Sequence, residues 1–273
     1  MHVSALYIYP VKGTAAVPVA EAATCPTGFV DDRRWMFVDR DGRFLSQREH
    51  RRLALVRATV AGNTLELNAP GMPRLRIPDA RTGEPTTVEV WADRTGALRL
   101  SEYAGDWISD FLGTHASVAY MPDAARRTIH PDYDDRNRIV SFADAFPFLL
   151  ISQESLDELN RRLERPMEMV RFRPNIVVTG ARAPHAEDGW KRIRCGEVDF
   201  DVVKPCARCA VPTIDPNTAE PGKQPNRTLA TYRRFGGQVY FGQNLIHRNG
   251  GTVRIGDAVD VLEAAPAMLP AAG

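Results

Sequence analysis

The sequence predicts a mainly β protein, a β-rich α+β chain with a few helices. Three observations predict it. Short apolar, β-branched runs recur along most of the 273 residues, punctuated by Gly, Pro and Asp. Asp39-Arg40-Asp41-Gly42 lies between the apolar runs 34–38 and 43–47, and Asp-Gly in that setting signals a hairpin. Helical spacing of apolar residues is confined to a few short stretches.

The elements follow in order. Residues 3–9 form a strand that Pro10 stops. After the hairpin, strands are expected at 55–60, 64–67, 75–77, 87–91 and 97–100, giving a small, strongly bent antiparallel sheet or barrel. Residues 105–112 read as a short amphipathic helix ended by Gly113. Residues 123–138 are polar and charged, a loop. Ser152 is placed to cap a helix over 153–164, which Pro166 ends and in which Leu156, Leu159 and Leu163 share a face. Strands return at 175–179 and 198–203, residues 228–234 are a further helical stretch, and 251–262 reads as two strands around a Gly-Asp turn. This divides the chain into an N-terminal barrel-like domain (1–120), a second β domain (121–265) and an Ala/Pro-rich frayed tail (266–273).

Composition narrows the function classes. The chain is 44% hydrophobic and 25% charged, and its formal charge of +1 offers no net field for nucleic acid or an anionic membrane. Thirty-one of its 35 basic residues are arginine, permanently charged planar forks suited to phosphate and carboxylate groups. The opening residues carry no secretory pattern, and the longest apolar run, 146–151, is far too short to span a bilayer. The four cysteines, Cys25, Cys195, Cys206 and Cys209, are therefore expected as reduced thiols in the cytoplasm.

The sharpest local feature is Lys204-Pro205-Cys206-Ala207-Arg208-Cys209. A zinc site wants four ligands, and no second cysteine pair or close histidine pair accompanies this one. A redox pair wants the first cysteine at a helix start, and Val211 and Pro212 follow at once. A single metal- or sulfur-binding thiolate suits the flanking cations Lys204 and Arg208, which favour a charged sulfur. Two structural cysteines in a loop remain a fourth reading, and these residues alone leave the choice open.

Their company is more specific. Tyr9-Pro10-Val11-Lys12-Gly13, Asp32-Arg33-Arg34-Trp35-Met36, Arg171-Phe172-Arg173-Pro174-Asn175 and Phe241-Gly242-Gln243-Asn244 occur in that order around the cysteines. The set, spread from Val3 to about Leu262, resembles the MOSC family. It is most similar to the branch with an N-terminal β-barrel domain, which includes the mitochondrial amidoxime-reducing component and bacterial hydroxylaminopurine-detoxifying reductases. The resemblance implies a C-terminal MOSC β-barrel and a molybdenum cofactor, a molybdenum-bearing phosphorylated pterin. It makes Cys209 the catalytic residue and the metal's protein thiolate, a soft donor for a soft metal, with Cys206 structural. It also implies that Lys12, Arg33 and Arg173 cradle phosphate and pterin, that Arg208 faces the cofactor, that Asn175 meets a pterin edge, and that the Ser152 hydroxyl touches the cofactor.

The match has departures. Gly13 stands where many relatives carry serine, Gln243 falls at a variable position near the cofactor, and Asp215–Thr218 reads as a structural turn. His130, His185 and His247 match no ligand position. No cysteine follows Cys209, so no fused iron–sulfur domain is expected, and the chain has no room for the pyridoxal-phosphate domain found in cofactor sulfurases. The implied activity is reduction of small N-hydroxylated compounds, a detoxifying oxidoreductase fed by a separate ferredoxin- or cytochrome-type donor with its reductase. Arg126, Arg127, Arg136 and Arg138 are candidate docking residues for that donor. A sulfur carrier with a Cys209 persulfide and a non-catalytic cofactor-delivery protein are the alternatives.

Overall fold

The computed structural model describes residues 1–267; of the expected frayed tail, residues 268–273 lie outside the described residues. Strands dominate, with three α-helices and several 3₁₀ turns. The largest sheet has nine strands. Its order runs Val259–Ala264, Trp190–Cys195, Val198–Ala207, Gln238–His247, Phe148–Ser152, Ile176–Thr179, His2–Ile8, Val17–Val19, with Arg234–Phe235 attached to Gln238–His247. All neighbours along this path are antiparallel except Phe148–Ser152 with Ile176–Thr179. The first strand of the chain thus sits in a sheet otherwise built mainly by the second half.

The expected barrels are not closed. The short Val17–Val19 pairs only with Leu6–Ile8, which leaves the start of the first strand open. There His2 forms a single bridge to Ala258, and Val3 N–H donates to Asp257 O at 2.9 Å. Gly256 N–H to Val3 O at 2.8 Å and Val259 N–H to Met1 O at 3.0 Å add to this contact, which brings the far edge around at an isolated bridge rather than a strand ladder. The first half is built from smaller sheets instead: Trp35–Val38, Ser117–Tyr120, Asp93–Arg99 and Glu84–Val90 in one, Arg57–Ala61, Thr64–Asn68 and Leu75–Ile77 in another. They enclose a core of Trp35, Phe37, Leu53, Leu67, Trp107 and Phe111. The large sheet has its own core, with Leu6, Phe148, Leu150, Ile176, Phe200 and Leu245.

Two departures from the expected elements bear on the site. The Asp39–Gly42 turn forms, with Asp39 Oδ1 accepting from the N–H groups of Asp41 and Arg43, but residues 43–47 form no strand and join their neighbours only through the isolated bridges Val38–Phe44 and Arg43–Glu89. The chain beyond Phe44 is therefore free to wrap toward the second half. A Cβ at Gly42 would stand 2.8 Å from Thr87 O, which with its φ of +79° explains the glycine. The strand Val198–Ala207 runs past the expected 203, and its register against Gln238–His247 slips between Val202 and Lys204 and again between Pro205 and Ala207. Bulges at these points turn the strand end, which stays tied to its neighbour through the Ala207–Tyr240 pair and the Arg208 N–H to Val239 O bond, so that Cys209 falls just beyond the ladder; Pro205, which has no N–H to donate, is tolerated there.

Candidate functional site

The wrapped 44–48 segment and the bulged strand end face each other across a cavity of about 310 Å³. Its wall holds six cationic side chains, Lys12, Arg33, Arg48, Arg173, Lys204 and Arg208, against one carboxylate, Asp144. Cys206, Cys209 and Asn175 also line it. The structure thus brings together every site residue expected from the sequence except Ser152.

Tyr9 organises the cationic wall. Its ring is fully buried, its hydroxyl donates to Pro174 O at 3.0 Å, and the guanidinium carbons of Arg33 and Arg173 each lie 4.2 Å from its centroid. Both arginines adopt left-handed backbone conformations, φ +50° and +60°, which non-glycine residues rarely hold without being fixed by their surroundings. Arg33 Nη1 donates to Asp32 Oδ2 at 2.5 Å and to Asn175 Oδ1 at 3.0 Å. Arg173 Nη1 donates to Thr14 O at 2.6 Å. Burial, together with the like charge of Arg33, brings Arg173 down to about 10, so it remains charged at neutral pH. Two guanidiniums on one ring repel each other, and an anion in the cavity relieves that repulsion.

Asn175 is spent inside this cluster. Its Oδ1 also accepts from Leu149 N–H, and its Nδ2 donates to Tyr7 O and Asp32 Oδ2. With all four contacts inside the protein, it orients Arg33 and Asp32.

On the opposite side, Lys12 Nζ donates to Phe142 O at 2.8 Å and to Asp144 Oδ1 at 2.5 Å, and lies 4.9 Å from the Phe44 centroid. Burial pushes the Lys12 ammonium down, and the Asp144 carboxylate opposes the shift.

The two cysteines differ. Cys206 Sγ accepts from Arg208 Nη1 at 3.0 Å. Cys209 is fixed through its backbone, whose carbonyl accepts from Asn226 Nδ2 at 2.8 Å, and its sulfur takes no hydrogen bond among the described residues. Arg208 also donates from Nη2 to Phe172 O at 2.8 Å, while its Nε is buried with no partner. All four cysteines are free. Among the described residues no group of three or more His, Cys, Asp or Glu is placed to hold a metal ion by itself, which removes the zinc reading of Cys206 and Cys209. The donor set fits an anionic ligand that brings its own metal and needs one thiolate: a ring of cations, an unsatisfied Arg208 N–H and a sulfur with nothing else to bind.

Ser152 lies elsewhere. It caps the helix Gln153–Arg161, accepting from Ser155 N–H at 3.2 Å, and its hydroxyl donates to Glu187 Oε2 at 2.9 Å. It is fully buried and does not line the cavity. Gln243 is likewise turned away, donating to Asp188 Oδ1 at 2.6 Å; its neighbour Asn244 reaches the cavity. Gly242 between the strands is required by contact, since a Cβ there would stand 2.6 Å from Ile151 Cγ1. Of the proposed docking arginines, Arg127 is buried, bonded to Asp93, Ser141 O and Ala143 O, and Arg138 is held by Asp134, Asp201 and His247 O. These internal bonds tie the 123–138 loop down, and of the four only Arg126 and Arg136 are exposed.

Sequence reasoning missed Asp144, Phe44 and Arg48. Asp144 sits in no motif and signals itself only as a lone carboxylate ahead of the 146–151 apolar run. Phe44 and Arg48 look like ordinary hairpin residues.

Comparison with known proteins settles the ancestry of this arrangement. Residues 137–260 match the MOSC domain model and residues 1–115 the MOSC N-terminal beta barrel domain model. The chain is 34% identical over 282 residues to the human mitochondrial amidoxime-reducing component 1, covering 95% of this chain and 82% of that protein. The chain belongs to the MOSC family. The mouse component 1 is 32% identical with the same coverage, and the human mitochondrial amidoxime reducing component 2 is 35% identical over 246 residues, 85% of this chain and 72% of its own. Both matched segments contribute residues to the one cationic cavity.

Proposed function

We propose that this MOSC protein is a molybdenum-cofactor-dependent reductase of N-hydroxylated compounds. The observation that carries the reading is the cavity wall of six cations and one carboxylate around the unbonded Cys209 sulfur. The names of its relatives supply the reaction class, reduction of amidoximes. Lys12, Arg33 and Arg173 would hold the cofactor's phosphate and pterin, Arg208 would satisfy its open Nε–H on the same ligand, and Cys209 would give the metal its protein thiolate. When bound, the cofactor supplies the two-electron chemistry. The net reaction takes an N-hydroxyamidine, two electrons and two protons to the amidine and water.

The chain's own contribution is placement. Asp32 and Asn175 fix the Arg33 fork before any ligand arrives, so little side-chain freedom is lost on binding. Tyr9 holds the Arg33 and Arg173 guanidiniums in the cavity wall, each 4.2 Å from its ring centroid, as a cationic surface for the cofactor's anionic groups. Electrons come from a separate protein donor of ferredoxin or cytochrome type. A cytoplasmic location belongs to the same reading and is tested by cell fractionation; among the described residues no helix is long and apolar enough to cross a membrane.

The deciding experiment is molybdenum and pterin content of the purified protein together with turnover of an amidoxime using a reduced dye. Both are expected. Cofactor without turnover makes it a delivery protein, and labile sulfur without molybdenum makes it a sulfur carrier.

A further inference from the structure

Trp91 occupies a position that the backbone reserves for glycine. It is the first residue of the two-residue turn between Glu84–Val90 and Asp93–Arg99, where Val90 pairs with Asp93. Its φ is +58°. Gly and Asn take such turn positions without strain, whereas a bulky side chain there is an outlier held by its surroundings. Nothing about folding demands tryptophan here: the residue is 46% exposed, while Trp35, Trp107 and Trp190 are each 6% exposed or less.

What holds the indole is the cavity rim. Phe44 meets it edge-on with centroids 4.9 Å apart, the Arg48 guanidinium carbon lies 4.7 Å over its ring, and its Nε1–H donates to Asp144 Oδ1 at 3.2 Å. All three partners line the cavity. Asp144 is also the carboxylate that holds Lys12. A strained, half-exposed aromatic of the N-terminal half thus packs on three residues of the cavity wall, just outside the lining itself, beside a site whose sulfur comes from the C-terminal half.

We propose that Trp91, backed by Phe44 and Arg48, is a stacking platform that gives this site a preference for planar aromatic N-hydroxylated substrates over small aliphatic ones. The inference rests on the reductase reading for its reaction but not for its binding step. Aromatic stacking tolerates many ring types, because every ring presents a π-face, and adds affinity without new hydrogen bonds. Backbone strain retained at a surface turn is consistent with selection for a ligand contact rather than for stability.

The test compares benzamidoxime with acetamidoxime, which share the N-hydroxyamidine group and differ in the ring. The small reduced dye serves as donor throughout, so protein docking cannot contribute. In Trp91→Gly the ratio of kcat/KM for benzamidoxime to that for acetamidoxime should fall about tenfold, with molybdenum content unchanged and a Tm no lower than that of the parent. Trp91→Phe, which keeps a ring but loses the N–H to Asp144, should keep at least a third of the ratio. An unchanged ratio in Trp91→Gly overturns the proposal, and so does an equal loss in Trp91→Phe, which would assign the effect to the Asp144 hydrogen bond. If the parent protein reduces neither substrate, the reductase reading fails by itself, and the platform is still read by fluorescence. Benzamidine should then quench the parent more than the Trp91→Phe variant, and acetamidine should quench neither. Equal quenching of the two proteins by benzamidine overturns the platform.

Discussion

Two buried polar clusters flank the Phe148–Ser152 and Ile176–Thr179 strands, and they are built to opposite ends. The first is Tyr9, Asp32, Arg33, Arg173 and Asn175. Its hydrogen bonds run inward and its cationic faces remain turned to a cavity. The second is Ser152, Ser155, Glu187, Asp188, Arg233 and Gln243. Glu187 accepts from both serine hydroxyls, and Asp188 pairs with Arg233 at 2.7 Å and takes the Gln243 amide. None of its members lines the cationic cavity. A buried ion pair contributes little net stability when its desolvation is counted, yet breaking one partner is costly. The second cluster therefore fixes the helix Gln153–Arg161 and the turn 186–189 against the sheet, while the first leaves charge available. The lesson is that burial and charge do not mark a binding site; spare hydrogen-bonding capacity aimed at a void does.

The largest expected effect tests that statement at the sulfurs. Cys209 has a sulfur with no hydrogen bond and Cys206 has one engaged by Arg208. Cys209→Ser should lower amidoxime turnover by more than about a hundredfold, since losing a group that acts directly in the chemistry costs that much or more. Cys206→Ser, whose hydroxyl can still accept from Arg208, should keep most of it. Equal losses would put both sulfurs in one shared site and break the contrast between spent and spare groups. Next comes Arg173→Ala, which removes a charged fork from the first cluster. Cofactor affinity should weaken by about 1.5–3 kcal/mol, roughly 10- to 150-fold, read as molybdenum occupancy after dialysis. Arg173→Lys should recover part of it, because an ammonium carries the charge without the fork. Full occupancy in a folded Arg173→Ala protein would remove the anion site from the first cluster.

The same contrast explains what could be read in the sequence. The strand at 176–179, the Asp-Gly turn, the Gly113 cap and the Ser152 cap are local, and local chemistry announces them. The converging motifs at Lys12, Arg33, Arg173 and Cys209 were legible because each carries a recognisable neighbourhood. Ser152, expected at the cofactor, lies outside the cavity, and a capping hydroxyl has the same sequence signature whether it faces a ligand or a buried Glu187. Asn175 lines the cavity, but its side chain serves Arg33 and Asp32, a distinction that needs partners 142 and 143 residues away. Asp144 was invisible because its meaning comes from Lys12 and Trp91, both distant in the chain. Barrel closure failed for a comparable reason. Strand spacing predicts pairing between neighbours, but the length of Val17–Val19 decides how much of the first strand is left open for the far edge.

Smaller effects sharpen the second cluster. Ser152→Ala removes a helix cap and one donor to a buried carboxylate, so unfolding free energy should fall by about 1–3 kcal/mol. Molybdenum content in the folded fraction should stay at the parent level. A stable variant that purifies without cofactor would instead return Ser152 to the binding site.

The last test uses pH. His185 belongs to the second cluster's edge, packed on Tyr232 and Phe241, with both ring nitrogens buried and unpartnered. Burial, with help from Arg233 and Arg162, lowers its pKa to about 3. Its unfolded value is about 6.5, so between these limits the unfolded chain binds a proton that the folded chain refuses. Stability from the neutral ring is then fully present above pH 6.5 and is lost as pH falls toward 3, at no more than about 1.4 kcal/mol per pH unit. Glu187 and Asp188 work against this trend: burial raises both carboxyls, so their cost to the fold shrinks as they protonate. The comparison therefore has to be a difference. His185→Asn keeps a residue tolerant of its φ of +62° and removes the titration. The stability gap between the parent and this variant should narrow steadily from pH 7 to pH 4 in urea titrations. A gap independent of pH would mean that His185 binds its proton equally well in the folded and unfolded chains, and that this edge of the second cluster is open to solvent.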